Sequence, residues 1–372
     1  MERFSRQSNF ELLRIVAMFF IILHHISVHG NWGNGGVFFP DQLSMNTFFL
    51  QSILPLGKIG VDTFVLISGY FLIVSSRSTW PKLFMLWAEM LFYSFIISAV
   101  FALFNGVEFN TRQIFSIFTP FISSTWWFAT TYLLMLVASP FVNKMLYACD
   151  EKSHLKLIVG LVFLWTILPA VTNIHVQFND LLWFLTLYII AAYIRLYPKH
   201  FDRGAFTYIL IAAVVYGILL SIVYAVDVTG YVLEFWNVQN LVDHNNEMNG
   251  PFALVISVCL LLAFRKLNLG IHRFINLLAA TTFGIYLIHD HPLVRQRVYS
   301  DFFNCFEYTF SNDMVLYVLF MACSIFLFCS IVEMIRMLII DSMFLKKISR
   351  YLESFQTKID SKIDEILKGR YM

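Results

Sequence analysis

Arg14 and His25 are the first residues in the chain whose types and spacing could do chemistry. They lie eleven positions apart and bracket the apolar run Ile15–Leu23. Eleven steps of about 100° return an α-helix almost to the same face and raise it by about 16 Å. The two side chains therefore share a face without touching. Ionisable groups in an apolar helix are costly and mark functional pathways. Arg14 offers a planar, permanently charged anchor for an anionic group. His25, deeper in the run, can move a proton near neutral pH. The bland alternative pairs Arg14 with Glu11, one turn earlier, and leaves His24 and His25 as satisfied core histidines.

Three further stretches carry polar groups inside apolar surroundings. The first is Gly60-Val-Asp62-Thr-Phe-Val-Leu-Ile-Ser68-Gly69-Tyr70. Asp62 is placed to orient a histidine or to pair with Lys58. The small Ser68-Gly69 pair admits close approach of a second backbone or a ligand. The second, Ser123-Ser-Thr-Trp126-Trp127-Phe128, reads as an aromatic belt at a membrane interface, and Trp127 also suits stacking on a sugar ring. The third, Gly284-Ile-Tyr286-Leu-Ile-His289-Asp290-His291, brings two histidines and an acid together. Adjacent helical residues point in different directions, so these three do not by themselves form a metal cage, and no metal is expected.

The elements that must position these residues follow from composition. Of the 372 residues 59% are hydrophobic and only 13% charged, where soluble domains carry about 25% charged. Lipid must be the solvent for most of the surface. Apolar stretches near 10–29, 55–75, 81–104, 125–147, 155–172, 181–197, 205–227, 250–267, 275–292 and 314–341 predict an all-α, polytopic membrane protein with about ten transmembrane helices. Lys and Arg cluster in alternate connections, and segments 173–180 and 228–249 contain neither. That alternation predicts both termini in the cytoplasm. Residues 1–344 read as a single membrane domain and 345–372 as a basic amphipathic tail that can lie on membrane lipids.

Other classes are disfavoured. The five cysteines contain no C-x-x-C pair, so no zinc or redox motif is readable. The glycine-rich segment 30–36 lacks the Lys-Ser/Thr of a phosphate loop. No basic run interleaved with aromatics occurs before the tail, so no nucleic-acid partner is expected. No cleavable signal pattern and no internal repeat are evident. An intramembrane Arg and His also mark transport pathways, which makes a transporter of a sugar, lipid-linked glycan or anion the alternative reading. Against it, the chain lacks the paired interrupted spans of many transporters.

The four motifs together resemble the membrane-bound acyltransferase-3 family. Arg14 and His25 match its signature of an arginine, ten residues and a histidine in the first span. Gly60-Val-Asp62 running into Ser68-Gly69 resembles its second motif. Trp127-Phe128 with Tyr132 and Ser139-Pro140 is similar to its middle segment, although Trp126 stands where relatives often carry a histidine. Gly284-Ile-Tyr286-Leu-Ile-His289 looks like its late motif. The resemblance implies transfer of an acetyl group from cytoplasmic acetyl-CoA to a hydroxyl of a carbohydrate or lipid-linked glycan. The implied setting is a multi-pass protein of the bacterial plasma membrane, close to the surface-polysaccharide branch. On that expectation Arg14, with Arg77, contacts the CoA phosphates. His25 is general base or acyl carrier, Asp62 orients it, Ser68 is an alternative carrier, and Trp127 and His289 face the acceptor.

Overall fold

The computed structural model describes residues 7–33, 44–75, 79–172, 179–233 and 248–340, with isolated positions in the C-terminal tail. The described residues are helical and contain no strand. Helix α1 spans Ser8–His29, α2 Met45–Leu72, α3 Trp80–Asn105, α4 Thr111–Phe118 and α5 Trp127–Ala148. Helix α6 begins at Glu151–Val162, widens by one residue per turn over Phe163–Ile167 and resumes at Leu168–Thr172. The wide turn precedes Pro169, which has no N–H to give to a regular ladder. Then follow α7 (Asp180–Leu196), α8 (Ala205–Leu233), α9 (Pro251–Lys266), α10 (Arg273–Ala280), α11 (Thr282–His289) and α12 (Met314–Arg336).

Among the described residues, six helical segments are both long and apolar enough to cross a membrane: Ser8–His29, Met45–Leu72, Trp80–Asn105, Glu151–Thr172, Ala205–Gly230 and Met314–Ile340. They leave large apolar side chains on the outside, among them Phe104 on α3, Val159 on α6, Phe206 on α8 and Phe320 on α12. Such a surface is stable only against hydrocarbon. The chain is a multi-pass membrane protein. The other segments expected to span differ in a physical way. Helix α7 has 17 residues and α9 has 16. The stretch expected at 275–292 is divided at Thr281 into α10 and α11. Much of α7 is enclosed: Trp183, Phe184, Leu187, Tyr188 and Ala191 are fully buried. An enclosed helix needs less lipid-matching apolarity than one at the rim.

Helices α1 and α2 form the broadest contact in the bundle. Small residues allow it. A Cβ at Gly60 would lie 2.6 Å from the backbone oxygen of Ala17, so the two helix backbones nearly touch. A Cβ at Gly69 would lie 2.9 Å from Cα of Tyr188, which makes the Ser68-Gly69 step the close crossing of α2 and α7. Gly60→Val is expected to lower stability by about 1–3 kcal/mol through overpacking. A melting temperature in detergent equal to that of the parent protein would contradict this.

Candidate active site

His25 lies in the last two turns of α1, where it meets the end of α11. Its Nδ1 is 2.9 Å from Nε2 of His289. Nδ1 of His289 is 2.6 Å from the carbonyl oxygen of Ile285. A carbonyl can only accept, so His289 donates from Nδ1 and offers a lone pair at Nε2. His25 must then donate from its own Nδ1. Its remaining nitrogen, Nε2, is left as the unprotonated acceptor. This assignment of protons follows from the hydrogen-bond partners, and it is the tautomer a general base needs.

Charges flank the pair. The Asp290 carboxylate lies 3.7 Å from His25 Nδ1 and 3.0 Å from Nη2 of Arg295. The same nitrogen also donates to the Asp290 backbone oxygen at 3.0 Å, so one guanidinium nitrogen bridges the side chain and the backbone of the acid. An imidazolium forming at His25 would meet a carboxylate already in place. The His29 ring centroid is 5.3 Å from that of His25. His25, His29 and Asp290 each offer a ligand atom within 4.8 Å of the others, which is a possible metal geometry. The guanidinium already bound to the Asp290 carboxylate opposes a second cation there. The cluster fits proton handling better.

A cavity of about 170 Å³ is reached from this cluster through Tyr286, which lines it and stands one turn before His289 on α11; His25, His289 and Asp290 are not among its lining residues. Arg14, Ser68, Lys82 and Tyr132 supply its polar wall. Met18, Phe64, Phe128, Phe283 and Tyr286 are among its apolar and aromatic lining. Arg14 holds both oxygens of Glu11, at 2.9 and 3.1 Å. Nζ of Lys82 donates to the Tyr132 hydroxyl at 2.9 Å, and that hydroxyl lies 2.8 Å from Ser68 Oγ. Ser68 itself donates to the Phe64 carbonyl at 2.9 Å, so its proton is engaged by backbone and Tyr132 is the donor between the two hydroxyls. Arg14 and Lys82 thus put two cations in the wall of a mostly apolar slot. In the same lining Phe128 meets Tyr286 edge to face at 5.4 Å, and Tyr286 stands one helical turn before His289.

The remaining expected residues are distributed as follows. Asp62 is fully buried and accepts from the indole nitrogen of Trp183 at 3.0 Å; the group hydrogen-bonded to His25 is His289. Trp127 opens α5 exposed, with its ring 6.2 Å from Phe128 and 6.3 Å from Phe184. His291 caps the turn after α11 by accepting from the Leu293 amide at 3.2 Å, and it packs edge-on against Trp126. Arg77 lies outside the described residues. The sequence motifs give no chemical role to Lys82, Tyr132, Tyr286 or Arg295. For Tyr286 a signal existed, since it stands three residues before His289 and so shares its helix face. For Lys82 and Tyr132, on different helices, none did.

A bundle with lipid-facing helices, a buried histidine pair and a slot with a cationic wall defines a membrane enzyme with acid–base equipment. A family model, described as an acyltransferase domain, matches residues 7–334. The chain belongs to the acyltransferase-3 family, and it is a membrane acyltransferase. No curated protein and no solved structure matches it.

The base assignment carries a direct expectation. His289→Leu removes the acceptor that sets the His25 tautomer, so turnover is expected to fall by about 10²–10⁴-fold, the size of a lost acid–base contribution. Initial rates of acyl transfer by the purified variant check it. Undiminished turnover would remove His289 from the site.

Proposed function

We propose that the protein is an O-acetyltransferase of the bacterial plasma membrane. It moves an acetyl group from cytoplasmic acetyl-CoA to a hydroxyl of a cell-envelope polysaccharide or its lipid-linked precursor. The observation that carries this reading is the unprotonated Nε2 of His25, set by its bond to His289, together with a slot lined by Arg14, Lys82 and Tyr286, the last on the helix that carries His289. Charged phosphates and an uncharged pantetheine arm need both surfaces: cations and an apolar lining. On the ten-span topology with both termini inside, Arg14 faces the cytoplasm and His25 lies about 16 Å deeper along α1. An extended pantetheine arm spans that length.

The thioester carbonyl reaches His25 past Tyr286, and the acceptor hydroxyl approaches from the opposite side. His25 Nε2 takes the hydroxyl proton as the new C–O bond forms. The C–S bond then breaks, and His25 returns the proton to the leaving thiolate. Asp290 stabilises the imidazolium between these events, while His289 keeps Nδ1 of His25 oriented. Trp127, at the start of α5, is assigned to the acceptor side, where an indole suits the apolar face of a sugar. Asp62 acts at a distance from the reacting atoms, through its bond to Trp183 and the packing of α2 on α7.

Incubating membranes that contain the protein with acetyl-labelled acetyl-CoA tests the reading. Label is expected to become covalently bound to envelope glycan and to be released by mild alkali. Label that stays with CoA alone, with transport of glycan intact, would favour a carrier. Arg14→Ala is expected to raise the KM for acetyl-CoA by about 10–100-fold, the range for loss of a hydrogen bond to a charged group. Lys82→Met should act in the same direction. A KM unchanged by both substitutions would take the donor out of this slot.

A further inference from the structure

The hydroxyl of Tyr286 is buried and makes no hydrogen bond, although its residue lines the cavity and is only 3% exposed. It lies beside the Asp290 carboxylate and the Phe128 amide without hydrogen-bond geometry to either. Buried hydroxyls without a partner are rare in folded proteins, because desolvating them is costly. A phenylalanine would fill the same space without that cost. The surroundings say what the hydroxyl waits for. Helix α11 carries Tyr286 and His289 one turn apart, with ring centroids separated by 6.4 Å. His289 holds His25 as the base. The donor is therefore mounted on the same helix as the group that orients the base. A second feature points at the same place. Helix α5 has 22 residues and no side-chain cap at its N-terminus. The Phe128 amide of its first turn lies next to Tyr286 and brings the positive end of the helix dipole.

We infer that Tyr286 is a catalytic residue, whose hydroxyl donates to the acyl carbonyl oxygen and stabilises the oxyanion of the tetrahedral intermediate, with the N-terminus of α5 as a supporting dipole. The inference rests on the acyl-transfer reading above. As the acceptor oxygen bonds to the carbonyl carbon, the C=O π electrons move onto oxygen, and that negative charge is shared with the Tyr286 O–H. His25 holds the acceptor's proton meanwhile. On collapse the electrons return to re-form C=O, the C–S pair leaves with sulfur, and His25 protonates the thiolate. Nothing is consumed at Tyr286. Donors of this kind are most effective in a site that excludes water, as the aromatic enclosure by Phe64, Phe128 and Phe283 provides.

The test is Tyr286→Phe in the full-length protein, in native membranes, with acetyl-labelled acetyl-CoA as probe. The expected result is a fall of about 10²–10³-fold in the rate of glycan labelling at saturating acetyl-CoA. The KM for acetyl-CoA is expected to stay within about threefold, and the melting temperature in detergent to be unchanged or slightly raised, because no bond in the fold is lost. Labelling at the parental rate overturns the inference. So does a variant whose rate falls only in step with a lowered melting temperature, since that marks a structural hydroxyl. If the parent protein transfers no label at all, the acyl-transfer reading falls and this inference falls with it. Parental labelling together with an unimpaired variant overturns the inference alone.

Discussion

His25→Ala is expected to abolish acyl transfer, with turnover at least about 10³-fold below the parent protein. The size follows from the geometry. His25 is the residue whose Nε2 is held unprotonated by a chain of two hydrogen bonds, from His25 Nδ1 to His289 and from His289 Nδ1 to the Ile285 carbonyl. Alanine removes the base and leaves Nε2 of His289 without a donor, which by itself costs about 1–3 kcal/mol of stability. His25→Gln separates the two losses. A glutamine amide can still donate toward His289, so its melting temperature should stay closer to the parent's, yet it takes no proton and should be equally inactive. Label transfer from acetyl-CoA and thermal melting, measured on the same preparations, check both halves. Transfer by the glutamine variant at more than a few per cent of the parental rate would show that the proton leaves by another group.

The largest expected effect on the fold is at Arg336. Glu333 is 1% exposed. It takes hydrogen bonds from Nε and Nη2 of Arg336, both at 2.8 Å, and from the Tyr93 hydroxyl at 2.6 Å. Arg336 also reaches Glu89 at 3.4 Å. One guanidinium thus joins α12 to α3 between two carboxylates inside an apolar bundle. Removing one partner of a buried ion pair costs about 3–5 kcal/mol. Arg336→Met is therefore expected to reduce the yield of folded protein sharply and to lower its melting temperature. Adding Glu333→Gln should recover part of the loss, because it removes the charge left behind. The site should feel the same change. A Cβ at Gly284 would lie 2.4 Å from the Glu333 carboxyl carbon, so Glu333 fills the notch against which α11 is seated. Two residues beyond Gly284 stands Tyr286, and three further His289. An Arg336→Met protein that melts like the parent would show that this network contributes little to the fold.

Parts of the site were legible because they are local. The phase of Arg14 and His25 on α1 depends only on helix periodicity; Arg14 lines the cavity with Met18 one turn on, whereas His25 is not among the lining residues. The late motif likewise carried His289 and Asp290 to a single helix end. The contact of Arg14 with Glu11, read from their spacing alone, is present at 2.9 Å, and Arg14 lines the cavity at the same time. Other parts depend on the register between helices. Lys82 and Tyr132 are 50 residues apart in sequence, and their hydrogen bond exists only because α3 and α5 meet there. Asp62, the acid that sequence spacing offered to His25, turns instead toward Trp183 on α7.

What the sequence by itself determined is the class of solvent, the helical fold and the family. Each of these follows from apolarity, 3.6-residue periodicity and short motifs, which are properties of neighbouring residues. The tertiary structure decided which groups complete the chemistry. His25 and His289 are 264 positions apart, and no periodicity relates residues on different helices. Their meeting is set by how α1 and α11 are each seated in the bundle, α1 against α2 at Ala17 and Gly60 and α11 against α12 at Gly284 and Glu333. The same packing leaves the Tyr286 hydroxyl buried without a partner, because an unmet hydrogen bond is a property of surroundings and cannot be written in one residue's type.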